Sequence, residues 1–130
     1  MLSWANDPIV RQNSFNSDHI SFETHQRLKC CSEYPANWED MHLGNIPDMR
    51  KRFGVHVGLS NHSFGSIGAV VAVSLGARVI EKHFKLNGVK SADSELSMTK
   101  EEFANMVKDS KDAVTISKGP DYSLSPKEQS

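Results

Sequence analysis

The sequence predicts an α/β fold built on a parallel sheet, and two observations carry that prediction. Three short runs rich in apolar and β-branched residues begin near Arg27, Val55 and Arg78, and segments with helical spacing lie between them. This alternation is typical of βαβ units. Because parallel strands need crossover connections, helices between consecutive strands favour a parallel sheet. The three strand-like runs are RLKCCS, VHVGLS and RVIEKHF.

Three further segments predict helices, because apolar residues recur in each of them at intervals of three and four. Gly54 and Gly76 would end the first two, and a capping box of Thr99 and Glu102 opens the third. The order is therefore strand–helix, three times over. The apolar positions are Ile46, Met49 and Phe53 in the first helix, Ile67, Val70, Val71 and Leu75 in the second, and Phe103, Met106, Val107 and Val114 in the third.

The length of 130 residues fits one small domain. Residues 1–26 are polar and without a sustained period, so we expect an irregular N-terminal segment, whereas residues 27–118 carry the alternating pattern and residues 119–130 read as an exposed tail. Three parallel strands alone leave two open edges. The pattern therefore indicates either a small three-layer domain or part of a (β/α)₈ barrel, which takes roughly 250 residues.

Composition argues against several classes of protein. A formal net charge of −1 gives no electrostatic case for nucleic acid or an anionic membrane. The longest apolar run, residues 67–77, is too short to span a bilayer, and the N-terminus lacks the pattern of a signal peptide. Cys30 and Cys31 are the two cysteines and are adjacent, so we expect buried, reduced thiols and a cytoplasmic location.

Polar side chains cluster where the predicted strands end. His62 follows the second strand and His83 lies at the end of the third, where functional groups of α/β folds gather. Two such imidazoles could share a divalent metal ion, and hydrogen-bonded structural histidines are the alternative. Glu81 has the strand parity of His83 and could orient it or remain a solvated charge, whereas Lys82 should point the other way. Asp93 lies in the loop that follows, where a solvated charge is the ordinary case.

Several stretches in the same order resemble the sialic acid synthase family: LKCCSEYPANWEDMHL, IPDMRKRFGVHVGLSNHSFG, AVVAVSLGARVIEKHF and ADSELSMTKEEFANMV. The resemblance covers Leu28 to about Val107. KSADSELS followed by GPDYSLSPKE is most similar to the pseudaminic acid synthase branch. It implies a partial TIM (β/α)₈ barrel, with residues 27–118 as the last three βα units.

The resemblance also implies roles for seven side chains. His62 and His83 would be ligands of Mn²⁺ or Mg²⁺, and Ser60 and Ser32 would contact phosphoenolpyruvate.

The other three residues would lie around the sugar and the reacting centre. Tyr34 and Asp93 would lie near the sugar, where Asp93 would hold sugar hydroxyls or a metal-bound water. Glu81 would lie beside the reacting centre.

The reaction implied by the resemblance condenses phosphoenolpyruvate with an N-acetylated amino sugar and releases phosphate. The metal would be a Lewis acid at the sugar aldehyde. The chain departs from the family pattern at Asn61, where the family usually has Asp, and at Cys31, where it usually has Thr. The earlier barrel strands that hold phosphoenolpyruvate have no counterpart in residues 1–26.

Two hypotheses about the chain follow. In the first, the chain is the metal-binding part of a synthase, which is inactive alone and is completed by a homo-oligomer or by a complementary barrel half. In the second, it is a non-catalytic remnant, a small α/β module that self-associates and has lost the activity. A generic metal-binding module is a variant of the second hypothesis. Saturable metal binding at His62 and His83 distinguishes the first hypothesis from the remnant.

Overall fold

The structure, a computed structural model, describes residues 26–129, except for the side chain of Gln26. The predicted irregular segment 1–26 therefore lies outside the described residues, apart from the backbone of Gln26. Three strands form one parallel sheet in the order β1-β2-β3, as the sequence predicts. Their bounds are Gln26–Cys30 for β1, His56–Asn61 for β2 and Ile80–Lys82 for β3.

The third strand is shorter than the predicted run from Arg78 to Phe84. The chain already bonds to β2 before β3 begins, because Arg78 N–H donates to the Val57 carbonyl at 2.8 Å. After β3 the chain leaves the sheet, and an isolated parallel bridge joins Phe84 to Met98 outside it. The excursion between these two residues forms the loop that carries Asp93.

Within the described residues, three α-helices lie between and after the strands. They are α1 (Asn45–Phe53), α2 (Ile67–Ser74) and α3 (Lys100–Ile116), with a short 3₁₀ turn at Trp38–Asp40. No helix in the described part of the chain is long and apolar enough to cross a membrane.

The ends of the helices follow from local chemistry. Gly54 ends α1 in the left-handed conformation, with φ of 63°, which costs glycine little because it has no Cβ. At the start of α3 the predicted capping box is confirmed, because the Thr99 side chain accepts from Glu102 N–H and the Glu102 carboxylate accepts from Thr99 N–H.

Successive residues of the strands face opposite sides of the sheet. On one side, which we call the helix face, Val57, Leu59 and Ile80 are almost fully buried and belong to the apolar core. The other side, which we call the site face, carries Gly58 and the paired residues Ser60 and Glu81. The helical residues that complete the core are Ile46 of α1, Ala69, Ala72 and Val73 of α2, and Met106 of α3.

Gly58 is required by the close approach of the neighbouring strands. A Cβ at this position would lie 2.5 Å from the carbonyl oxygen of Val79 and 2.7 Å from Cδ2 of Leu28. Real Cβ atoms essentially never come this close to other atoms. The absence of a side chain at Gly58 therefore lets β1 and β3 sit tightly against β2, directly below the residues of the candidate site.

Candidate active site

Strands β2 and β3 end side by side, and the histidines that follow them meet. The ring centroids of His62 and His83 are 5.3 Å apart, with their planes at 61°. His62 is buried, with 6% of its surface exposed, and the side chain of His83 is one-third exposed. The structure thus brings together the two imidazoles that the sequence singled out.

The orientation of His62 is fixed by the loop that follows β1. Its Nδ1 lies 2.9 Å from the carbonyl oxygen of Cys31. Because a carbonyl can only accept, Nδ1 carries the proton and donates to it, and in the neutral ring Nε2 then has the free lone pair. The backbone carbonyl of His62 in turn accepts from Ala36 N–H at 3.1 Å.

Ser60 and Glu81 are directly paired across β2 and β3. The Ser60 hydroxyl donates to Oε1 of Glu81 at 2.7 Å, and its oxygen lies 3.5 Å from Nε2 of His62. The predicted parity of Glu81 therefore brings its carboxylate to the site, although it reaches His62 only through the serine. The hydroxyl links the acid of one strand to the imidazole that follows the other.

Asp93 reaches His83 from the loop between β3 and α3. Its Oδ2 lies 3.7 Å from Nδ1 of His83, which is an ion-pair distance when the imidazole is protonated. The loop is held at its base, because Lys85 donates through its ammonium to the Ser94 carbonyl at 2.8 Å. Ser97 donates to the Asp93 carbonyl through both its N–H and its hydroxyl.

Tyr34 lies over both histidines. Its ring centroid is 4.1 Å from that of His62 and 5.9 Å from that of His83. Ser32, on the same loop, is exposed and makes no hydrogen bond within the described residues. The structure therefore collects six of the seven candidate side chains, and Ser32 is the one that it leaves apart.

Three features of the site escaped sequence reasoning. Cys30 and Cys31, predicted to be buried, are exposed and half-buried, because β1 has β2 as its one strand neighbour in the described sheet. The Cys30 sulfur lies 3.8 Å from Nδ1 of His62. The role of the Cys31 carbonyl had no signal in the sequence, since any residue type could supply it.

Lys82 points away from the imidazoles, as its strand parity predicts. Its ammonium donates to the backbone carbonyl of Ser63. Burial disfavours the charged form of this amine and lowers the pKa of Lys82 from 10.5 to about 8.

Asn61 also lies on the helix side of the sheet, although it directly precedes His62. Its side-chain carbonyl accepts from the N–H and the hydroxyl of Ser63, and its amide nitrogen is buried without a partner in the described structure. A Cβ on Gly68 would lie 3.2 Å from that nitrogen. Asn61 therefore belongs to the layer beneath the imidazoles and not to the site face.

The fit of a metal ion can be judged from these donors. The free Nε2 of His62 and the neighbouring ring of His83 suit a pair of metal ligands. Within residues 26–129, no group of three or more His, Cys, Asp or Glu side chains is arranged to hold a metal. Within this part of the chain the two histidines can therefore supply two ligands of an ion but not a complete set.

Known proteins similar to this chain include synthases of sialic-type acids. The pseudaminic acid synthase of Campylobacter jejuni is 53% identical over 81 residues, which are 62% of this chain and 24% of that protein. The pseudaminic acid synthase of Helicobacter pylori is 43% identical over 88 residues, which are 67% of this chain and 26% of that protein. The chain thus spans about a quarter of the length of the curated relatives it matches.

A solved structure supports the same relationship. The N-acetylneuraminic acid synthetase of Leptospira borgpetersenii, crystallised with citrate, superposes with a TM-score of 0.69 at 30% identity, over 80% of this chain and 37% of that one. The model of the NeuB family matches residues 21–121. The resemblance to sialic acid synthases, with pseudaminic acid synthases among the most similar, is confirmed, and the chain belongs to the NeuB family.

Proposed function

We propose that this chain is the histidine-bearing part of a sialic-type acid synthase that condenses phosphoenolpyruvate with an N-acetylated amino sugar. The observation that carries the proposal is the pairing of His62 and His83, in a chain of the NeuB family, with Ser60, Glu81 and Asp93 around them. The pseudaminic acid type of product is favoured by the 53% identity to a pseudaminic acid synthase.

His62 and His83 would hold a divalent ion, Mn²⁺ or Mg²⁺, which supplies Lewis-acid polarisation of a sugar carbonyl when bound. The protein's contribution is orientation. The Cys31 carbonyl keeps Nε2 of His62 as the available nitrogen, and the carboxylate of Asp93 lies close enough to His83 to accept from its Nδ1–H after a small movement. Asp93 is also half-exposed, so a sugar hydroxyl could donate to it.

Ser60 and Glu81 would act on phosphoenolpyruvate and on proton movement. The hydroxyl of Ser60 donates to Glu81, so it would have to turn from the carboxylate to contact an anionic substrate. Ser32 is exposed at the end of the first loop and would contact the same substrate only if that substrate extended to it.

The remaining elements of the proposal concern the assembly. The three βα units correspond in this account to the last part of a (β/α)₈ barrel, and residues outside the described strands would hold the phosphate. The chain alone would then be inactive, and either a homo-oligomer or a complementary barrel half would complete the site. A cytoplasmic location belongs to the same proposal.

The direct test of the metal pair is isothermal titration of MnCl₂ into the purified chain. We expect saturable binding that is lost in a His62→Ala, His83→Ala double variant. His56→Ala is the matched control, because His56 is an exposed histidine at the opposite end of β2 and should leave binding unchanged. Equal binding by the wild-type chain and the double variant would refute the metal pair.

The activity is tested by release of phosphate from phosphoenolpyruvate in the presence of Mn²⁺, with and without a di-N-acetylated amino sugar. We expect no release by the chain alone. Sugar-dependent release by the chain alone would overturn the proposed inactivity and would support the synthase reaction itself.

A further inference from the structure

We propose that Tyr34 is a positioning residue whose aromatic ring holds the imidazoles of His62 and His83 in register. This role belongs to the ring and is distinct from the contact of Tyr34 with a sugar that the family resemblance implies. The metal-affinity part of the inference rests on the proposed function, whereas the contact between the rings does not.

The geometry of the three rings is that of a clamp. Tyr34 meets His62 nearly face on, with centroids 4.1 Å apart and planes tilted by 30°. Tyr34 and His83 meet edge to face, with centroids 5.9 Å apart and planes at 90°, an arrangement that aromatic quadrupoles favour. One side chain therefore contacts both imidazoles.

The loop that carries Tyr34 is fastened to His62 on both sides of the tyrosine. Before it, the Cys31 carbonyl accepts from the imidazole Nδ1–H at 2.9 Å. After it, Ala36 N–H donates to the backbone carbonyl of His62 at 3.1 Å. Since only four residues lie between these two bonds, the loop cannot move relative to His62 without breaking one of them. The position of Tyr34 over the imidazole is thus built into the backbone.

Hydrophobic burial does not account for this placement. Tyr34 is 54% exposed and is not part of the apolar core, whereas the His62 ring beneath it is buried. The Tyr34 ring therefore contributes to the burial of His62, although Tyr34 itself remains largely exposed. Its ring shields one face of the imidazole, and more than half of its surface remains accessible to a ligand.

His83 depends on this contact more than His62 does. Its ring makes no hydrogen bond within the described residues, because Asp93 is 3.7 Å away. The edge of Tyr34 and the ring of His62 are the aromatic surfaces packed against it. Removing the Tyr34 ring should free His83 to change rotamer, while His62 keeps its bond to Cys31.

The test compares Tyr34→Phe, which keeps the ring, with Tyr34→Leu, which removes it. Trp38→Leu is the matched control, because Trp38 is an equally exposed aromatic at 59% and has no ring contact with either histidine in the described structure. The readout is the NOE between the ring protons of His62 and His83 in the metal-free chain, at one fixed pH above the range in which imidazoles titrate. The NOE reports the distance between the two imidazoles, whereas their chemical shifts would change merely because the Tyr34 ring is gone. Methyl signals of Met106 report on the core.

We expect this NOE to weaken severalfold in Tyr34→Leu and to be kept in Tyr34→Phe and Trp38→Leu, with Met106 unchanged. An unchanged NOE in Tyr34→Leu would overturn the inference. So would a Tyr34→Phe spectrum that matches Tyr34→Leu, since the hydroxyl would then be the cause. A shift of Met106 together with the weaker NOE, or loss of folding in Tyr34→Leu, would mark Tyr34 as a structural residue and would also overturn it.

Metal affinity provides the second readout. Titration with MnCl₂ should show about tenfold weaker binding to Tyr34→Leu, as for the loss of other groups that orient metal ligands, and unchanged binding to Tyr34→Phe. Equal affinity of all three proteins would contradict the positioning role. If the wild-type chain binds no Mn²⁺, the proposed metal pair fails, and the NMR comparison still decides the clamp on its own.

Discussion

The two faces of the sheet are made from alternating residues of the same strands, yet they are organised in different ways. The helix face uses Val57, Leu59 and Ile80, which are shape-filling, almost unexposed and packed on helices. The site face uses Ser60 and Glu81, which are held by a directed hydrogen bond. The comparison teaches that stability and chemistry are separated here by a single residue step along each strand.

The largest effect is expected from Leu59→Ala on the helix face. Leu59 is 1% exposed, and its truncation leaves a cavity in the core, so we expect a loss of about 3 kcal/mol in the free energy of unfolding. Urea denaturation measures it. Leu86→Ala is the control, because Leu86 is 66% exposed and its truncation should cost less than about 0.5 kcal/mol. Equal losses would mean that the helix face does not form the core.

A smaller but still substantial effect is expected where the strands touch. Gly58→Ala puts a methyl group 2.5 Å from the Val79 carbonyl, and the backbone must separate to relieve the clash. We expect a loss of about 2 kcal/mol in the free energy of unfolding, again by urea denaturation.

Gly44→Ala tests whether that loss comes from the clash. A Cβ at Gly44 meets nothing within 4 Å, and the residue has a right-handed helical conformation with φ of −55°. Its replacement should change stability by less than about 0.5 kcal/mol. Equal stability of the two variants would contradict the predicted clash between a Cβ at position 58 and the Val79 carbonyl.

Thr99→Ala removes the hydroxyl that accepts from Glu102 N–H in the capping box of α3 and should cost about 1 kcal/mol near neutral pH. The backbone N–H of residue 99, which donates to the Glu102 carboxylate, is kept. The bonds from Thr99 lower the pKa of Glu102 below its ordinary 4.5. Because the folded-state pKa is the lower one, this stabilisation is present above pH 4.5 and is lost as the pH falls through the folded-state value.

Urea denaturation at neutral and acidic pH checks the cap. The difference between wild type and Thr99→Ala should shrink partly in acid, because the variant loses the side-chain bond to Glu102 and keeps the larger contribution from the backbone N–H of residue 99. Thr115→Ala is the control, because the Thr115 hydroxyl donates to the Lys111 carbonyl inside the helix and has no part in the cap. A difference that grows in acid would contradict the account.

The smallest effect on global stability is expected from Lys85→Met, which removes the bond from the Lys85 ammonium to the Ser94 carbonyl. Amide hydrogen exchange in residues 86–97 should accelerate by about fivefold, the equivalent of one net hydrogen bond, while the core is unchanged. Lys90→Met, an exposed lysine of the same loop, should not accelerate exchange. Similar exchange in both variants would mean that Lys85 does not hold the loop of Asp93.

Much of the fold followed from the sequence, because period and capping are local signals. The parallel order, the capping box of α3 and the adjacency of His62 and His83 were all predicted. The end of β3 was not, because the chain leaves the sheet through a bond to the distant Met98.

The fine structure of the site depends on groups that no pattern encodes. The Cys31 carbonyl, which orients His62, is backbone, and the clamp by Tyr34 arises from a loop bonded back to β2. The exposure of Cys30 depends on whether another strand covers β1, which composition does not reveal.

The proposed ligation of a divalent metal by His62 and His83 together can be measured by X-ray absorption spectroscopy of the Mn²⁺-loaded chain. We expect a coordination shell with scattering from two imidazoles, which disappears in the His62→Ala, His83→Ala double variant and persists in His56→Ala. A shell of oxygen atoms alone, identical in wild type and the double variant, would contradict it.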